Sequence, residues 1–145
     1  MAKKLVEVKN LKKYFHVSSG TLHAVDDISF HIEEGTTLGI VGESGCGKST
    51  TGRLLLRLLE PTDGDVYFDG ELIKDKSKKE MIKLREEMQI VFQDPYASLN
   101  PKKTVAQIIK EPLILHKVCK NKEELEQRVD ELMAKVKLTH IVKNS

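Results

Sequence analysis

Residues Gly39–Leu55 read GIVGESGCGKSTTGRLL. Three glycines, at positions 42, 45 and 47, are followed by a lysine, a serine and two threonines before leucines begin. Ordered glycine costs backbone entropy, so a cluster of it between two apolar segments calls for a compensating use. GESGCGKS, Gly42 to Ser49, suggests one: glycine, four variable residues, then glycine, lysine and a hydroxyl residue. In that pattern, glycine conformations closed to other residues turn successive N–H groups inward and make a concave nest for anionic oxygens. A helix opening near Lys48 adds its positive dipole end. Lys48 then reaches terminal phosphates as a point charge, and the Ser49 hydroxyl ligates Mg2+. With glycine at about 7% of residues, a chance match in a chain of this length is on the order of half a percent. The cradle read from the sequence is Gly42, Glu43, Ser44, Gly45, Cys46, Gly47, Lys48, Ser49 and Thr50. Cys46 fills a variable position and carries no redox role.

The flanks fit the context that this loop requires. Thr37 to Val41 is a short apolar run, the pattern of a strand covered on both faces, which points to a parallel core sheet. Lys48 to Leu59 is rich in helix formers and stops at Glu60-Pro61, since the residue before proline is driven out of the helical region. Upstream, Leu5 to Val8 and Ala24 to Ile32 read as strands, with HVSSGTLH, 16–23, as a loop between them. Downstream, Val66 to Phe68 and Glu71 to Ile73 flank Asp69-Gly70, which favours a two-residue hairpin turn. Ser77 with Glu80, Thr104 with Gln107, and Asn121 with Glu124 have capping spacing and predict three helix starts. The last helix carries Leu125, Val129, Leu132 and Val136 on one stripe. Met88 to Phe92 reads as another buried strand, closed by Gln93 and the irregular DPYASLNP.

Composition narrows the function classes. The 145 residues are 39% hydrophobic and carry a formal charge of +2, enough for one ordinary domain and no basis for a nucleic-acid partner. KDKSKKEMIKLREE, 74–87, interleaves acids with its bases and reads as a solvated helix face. Cys46 and Cys119 form no CxxC pair, so a structural metal site is not expected, and their use suits a reducing cytoplasm. The N-terminus has no secretory h-region, and no segment approaches the ~20 apolar residues of a membrane span. The chain is expected to be soluble unless another protein holds it at a membrane.

GESGCGKST at Gly42–Thr50, PTDGDVYFDG at Pro61–Gly70 and the glutamine of VFQDP at Gln93 together resemble an ATP-binding cassette (ABC) transporter ATPase. QDPYASLNP, 93–101, and RLLLRLLEPTDG, 53–64, are similar to the second ATPase subunit of oligopeptide and dipeptide importers. The resemblance covers nearly the whole chain. It implies an α/β fold: an incomplete P-loop NTPase core with an antiparallel β subdomain over 1–93, then a glutamine loop and the start of a helical subdomain over 93–145. It also implies ATP and Mg2+ as ligands and an aromatic ring stacked on adenine, with spacing to Lys48 favouring Phe15 over Tyr14. Gln93 would approach the metal and the attacking water, and Tyr96 with its neighbours would face the membrane partner. Implied partners are transmembrane permease subunits and a second ATPase subunit, with the chain peripheral on the inner face of the cell membrane.

Phosphoryl transfer to water needs an acidic residue for the metal and a group that orients the nucleophile. In this family those come from an LSGGQ-like signature, an apolar strand ending in Asp-Glu, and a switch histidine; none occurs in these 145 residues. Glu123, Glu124, Asp130 and Glu131 read as solvated helix surface, and His16, His23, His31, His116 and His140 appear singly. The chain therefore reads as a fragment or truncated product that binds ATP without efficient hydrolysis. It should also expose an apolar edge of its core sheet and be marginally stable and aggregation-prone. The alternatives are a non-catalytic fragment competing for the permease or for a full-length partner and, ranked lower, a soluble cassette ATPase of repair or translation.

Overall fold

A run rich in lysine, valine and aromatic residues forms β1 (Lys4–Val17), which turns at Ser18-Ser19 into the equally long β2 (Gly20–Glu33). The computed structural model describes residues 3–94 and 98–138, which fall into two compact units divided between Ile90 and Val91. HVSSGTLH is therefore mostly strand and not loop. A two-residue turn lets both strands pair up to Val17 and Gly20. β1 also runs past Val8, where its sequence alternation breaks. The register slips between Val8 and Leu11, and Asn10 sits at φ 48°. Such an extra residue resets which side chains face inward, so Val6, Val8 and then Leu11 all enter the core, Leu11 with no exposed surface.

The first unit contains one antiparallel sheet ordered β2-β1-β3-β4, in which β3 is Asp63–Phe68 and β4 Glu71–Leu72. The Asp69-Gly70 hairpin forms as the sequence indicates. Both turn residues have positive φ, 49° and 80°, as a mirror-image two-residue turn demands. Against one face of the sheet lie α1 (Lys48–Leu55) and α2 (Lys78–Glu87). Leu54, Ile73, Met81 and Leu84 complete a core with Val8, Leu11, Val25, Val66 and Phe68.

Three sequence expectations are corrected here. Thr37–Val41 forms no strand, and Leu38, Ile40 and Val41 are 43%, 46% and 93% exposed. Met88–Phe92 forms none either, with Val91 94% exposed. An extended segment becomes a strand only when a neighbour accepts its backbone hydrogen bonds, and among the described residues all strands belong to the antiparallel sheet. The apolar exposure expected at a sheet edge is present, but on non-strand backbone. Finally, α1 stops at Leu55 and not at Leu59. Arg57 takes φ 49°, its N–H donates to Leu54 O (3.0 Å), and the Leu58 N–H donates to Arg53 O (2.8 Å). This is a Schellman closure with arginine where glycine is usual. Arg57 is held there by donating to the carbonyls of Ile73 (3.3 Å) and Lys76 (2.7 Å).

Among its described residues the second unit contains a helix pair, α3 (Val105–Leu115) and α4 (Lys122–Lys135), packed through Ala106, Val129 and Met133. Lys110 pairs with Glu126 across them. Met133, not Val136, closes the α4 stripe, because Val136 has already left the helix as its C-cap and is 62% exposed. The three expected helix starts are all present. Ser77 and Thr104 make complete reciprocal caps, whereas Asn121 accepts from the Glu124 N–H and Glu124 reaches back to the Lys120 N–H. Thr104→Ala should cost about 1 kcal/mol, read by urea unfolding followed through amide exchange in α3.

Candidate functional site

The glycine loop enters α1 through Gly47, at φ 91° and ψ 1°. A Cβ built on Gly47 would lie 2.1 Å from the Ala24 carbonyl oxygen of β2. Left-handed backbone and this close approach both require glycine there. The loop is thus seated on β2, and helix α1 leaves it with Leu54 buried in the core.

The start of α1 differs from those of α2, α3 and α4. No side chain caps it. Thr51 makes the first helical hydrogen bond, its N–H donating to Gly47 O at 2.8 Å, with its hydroxyl on the same oxygen at 3.0 Å. Among the described residues no acceptor takes the N–H groups of Gly47, Lys48, Ser49 or Thr50. α2, α3 and α4 each satisfy such donors with Ser77, Thr104 or Asn121. Four free amides at a positive dipole end make an anion site.

Lys48 brings a full charge to it. Its Nζ donates to Gly42 O and Glu43 O, both at 2.7 Å, and lies 3.5 Å from Cys46 Sγ. The ammonium thus ties the two ends of the loop together. Glu43, Ser44, Gly45 and Cys46 are exposed around it, and Thr50 is half-buried. Ser49 is exposed, and its hydroxyl makes no hydrogen bond among the described residues. Those residues contain no cluster of His, Cys, Asp or Glu able to hold a metal ion by itself. One hard oxygen donor beside an amide nest suits Mg2+ arriving with phosphate oxygens and keeping several waters.

Phe15 and Tyr14 point to different uses. Tyr14 stacks on His23, with centroids 4.0 Å apart, and its hydroxyl donates to Asp26 Oδ1 at 2.5 Å. That bond to a carboxylate pushes the Tyr14 phenol up to about 12. Phe15 is half-buried and pairs across the hairpin with Leu22, two residues from the Ala24 carbonyl on which Gly47 rests. The hairpin therefore brings the Phe15 backbone alongside the loop and leaves its ring free of the Tyr14 cluster. Gln93 is exposed and belongs to the second unit. Tyr96 lies outside the described residues.

The sequence reading missed Thr51, which is buried and locks Gly47 O. Its position four residues after Gly47 was the available signal. It also missed the Ala24 carbonyl, which no side-chain pattern encodes.

The pattern of the ABC transporter family matches residues 25–145. The oligopeptide transport ATP-binding protein OppF of Bacillus subtilis is 56% identical over 139 residues, 95% of this chain and 46% of that protein. The dipeptide transport ATP-binding protein DppF of Escherichia coli is 43% identical over 141 residues, 92% of this chain and 42% of that protein. The chain thus spans about half the length of these curated relatives. Among solved structures, the ATP-binding cassette MJ0796, as a post-hydrolysis dimer bound to ADP and Pi, superposes with a TM-score of 0.78 at 30% identity. That match covers 96% of this chain and 60% of the cassette. The α/β cassette core expected from the sequence is the fold of these neighbours. With the loop, the hairpin and the matched span in agreement, the chain belongs to the ABC transporter family.

Proposed function

We propose that this chain is the ATP-binding portion of the ATPase subunit of a peptide importer. The observation that carries the reading is the uncapped start of α1, with four free amides, beside a loop whose carbonyls hold the Lys48 ammonium. In this reading Gly42–Thr50 wrap the phosphate tail, with Lys48 moving from the loop carbonyls to the terminal phosphates. The Ser49 hydroxyl holds Mg2+, which neutralises charge on the phosphate oxygens. Phe15 stacks on the base. Gln93 takes the metal- and permease-facing role that the resemblance gives it. The oligopeptide and dipeptide names of the similar proteins support peptide as the transported class. The partners would be transmembrane permease subunits and a second ATPase subunit, at the inner face of the cell membrane. Among the described residues no helix is long and apolar enough to cross the membrane; in this reading the permease holds the chain there.

Hydrolysis needs an acidic metal ligand and a group orienting water, and none of the acidic residues of α4 stands in such a setting. Residues 1–145 should therefore bind Mg-ATP in calorimetric titration yet release phosphate no faster than buffer. Sustained turnover that disappears in Lys48→Ala would contradict the incomplete-site reading, and no binding at millimolar Mg-ATP would contradict the nucleotide reading itself.

A further inference from the structure

We infer that Lys13 is the positioning residue for the base-stacking ring. The inference rests on the assignment of Phe15 to the base. Lys13 and Phe15 are two apart on β1, and although the register slips between Lys13 and Tyr14, the two side chains meet. The Lys13 Nζ lies over the Phe15 ring, 5.1 Å from its centroid, and donates to Glu60 O at 2.7 Å. Glu60 lies five residues past the end of α1, and its carboxylate accepts from Nε of Arg57, the residue of the helix closure, at 2.9 Å. The cross-strand partner of Lys13 is Val25, whose Cγ2 would lie 3.6 Å from a Cβ on Gly47. The Lys13 ammonium thereby connects the ring to the segment that follows α1, while the Lys13 backbone pairs with the strand behind the loop.

A cation over one ring face is attracted by the quadrupole and holds the ring against rotation. In this inference the base stacks on the opposite face. Lys13 touches neither the base nor the phosphates, so its effect passes through Phe15 and should be absent for a ligand without a base.

The test titrates the chain with Mg-ATP and separately with inorganic tripolyphosphate. Lys13→Met should weaken ATP by about three- to fivefold, the scale of an exposed cation–π contact, and leave tripolyphosphate unchanged. Lys13→Arg should restore ATP affinity. In a Phe15→Leu background, Lys13→Met should add no further loss. An equal loss with tripolyphosphate, a full loss persisting without the ring, or no loss at all overturns the inference. If Lys13→Met does not give folded protein, Lys13→Gln answers the same comparison. Phe15→Leu alone separates the two levels. If it weakens ATP while the Lys13 variants do not, only the positioning role fails. If it has no effect on ATP, the base-stacking assignment fails and the inference with it.

Discussion

Lys48→Ala is expected to weaken Mg-ATP binding by about 10- to 100-fold while leaving the affinity for adenosine unchanged. A hydrogen bond to a charged group contributes about 1.5–3 kcal/mol, and each 1.4 kcal/mol is a factor of ten in affinity. The loss falls on the phosphate term alone because Lys48 Nζ touches only the loop, at Gly42 O, Glu43 O and Cys46 Sγ. Those two carbonyls return to water at little cost, since Gly42 and Glu43 are exposed. The thermal melt should therefore move by no more than a few degrees. Ionic strength gives a second readout: an exposed ammonium is screened by salt, so the ratio between wild type and variant should shrink as salt rises. Equal affinity of both proteins for Mg-ATP would remove Lys48 from the phosphate site. Equal loss for adenosine would mean that the loop had rearranged as a whole.

How legible all this is in the sequence depends on whether a feature is local. The glycine loop, the Asp69-Gly70 turn and the three caps are set by residues within a few positions of each other, and each forms where the sequence places it. The strands at 37–41 and 88–92 do not form, because apolar composition reports a preference for burial but cannot supply a ladder partner. β1 was legible only as far as Val8. The slip at Asn10 breaks the alternation from which a strand is recognised, and so hides that Leu11, Lys13 and Phe15 belong to one strand. The early end of α1 is hidden for a related reason: the guanidinium of left-handed Arg57 is held by the distant carbonyls of Ile73 and Lys76 as well as by nearby Glu60. At the site, the Lys48 and Ser49 positions follow from the motif. The seat of Gly47 on the Ala24 carbonyl is a contact between backbones, and no side-chain pattern announces it.

That contact gives the largest effect on folding. Gly47→Ala should destabilise the first unit by about 3–5 kcal/mol, a large share of the 5–15 kcal/mol of an ordinary domain. A left-handed alanine accounts for about 1–2 kcal/mol. The remainder comes from the new Cβ, which would lie 2.1 Å from Ala24 O and must push α1 off β2. Both atoms belong to backbone, so no rotamer change relieves the overlap. Moving the helix drags Leu54, 2% exposed, out of the shared core, and cavities of that kind are costly. Gly45→Ala is the matched control: its φ is 81°, but a Cβ there meets nothing within 4 Å, so it should lose only the conformational share. Melting of the two variants in parallel isolates the contact. If Gly47→Ala melts no lower than Gly45→Ala, the loop is not seated on β2. The amide nest would then be held by its own local conformation and not by the sheet beneath it.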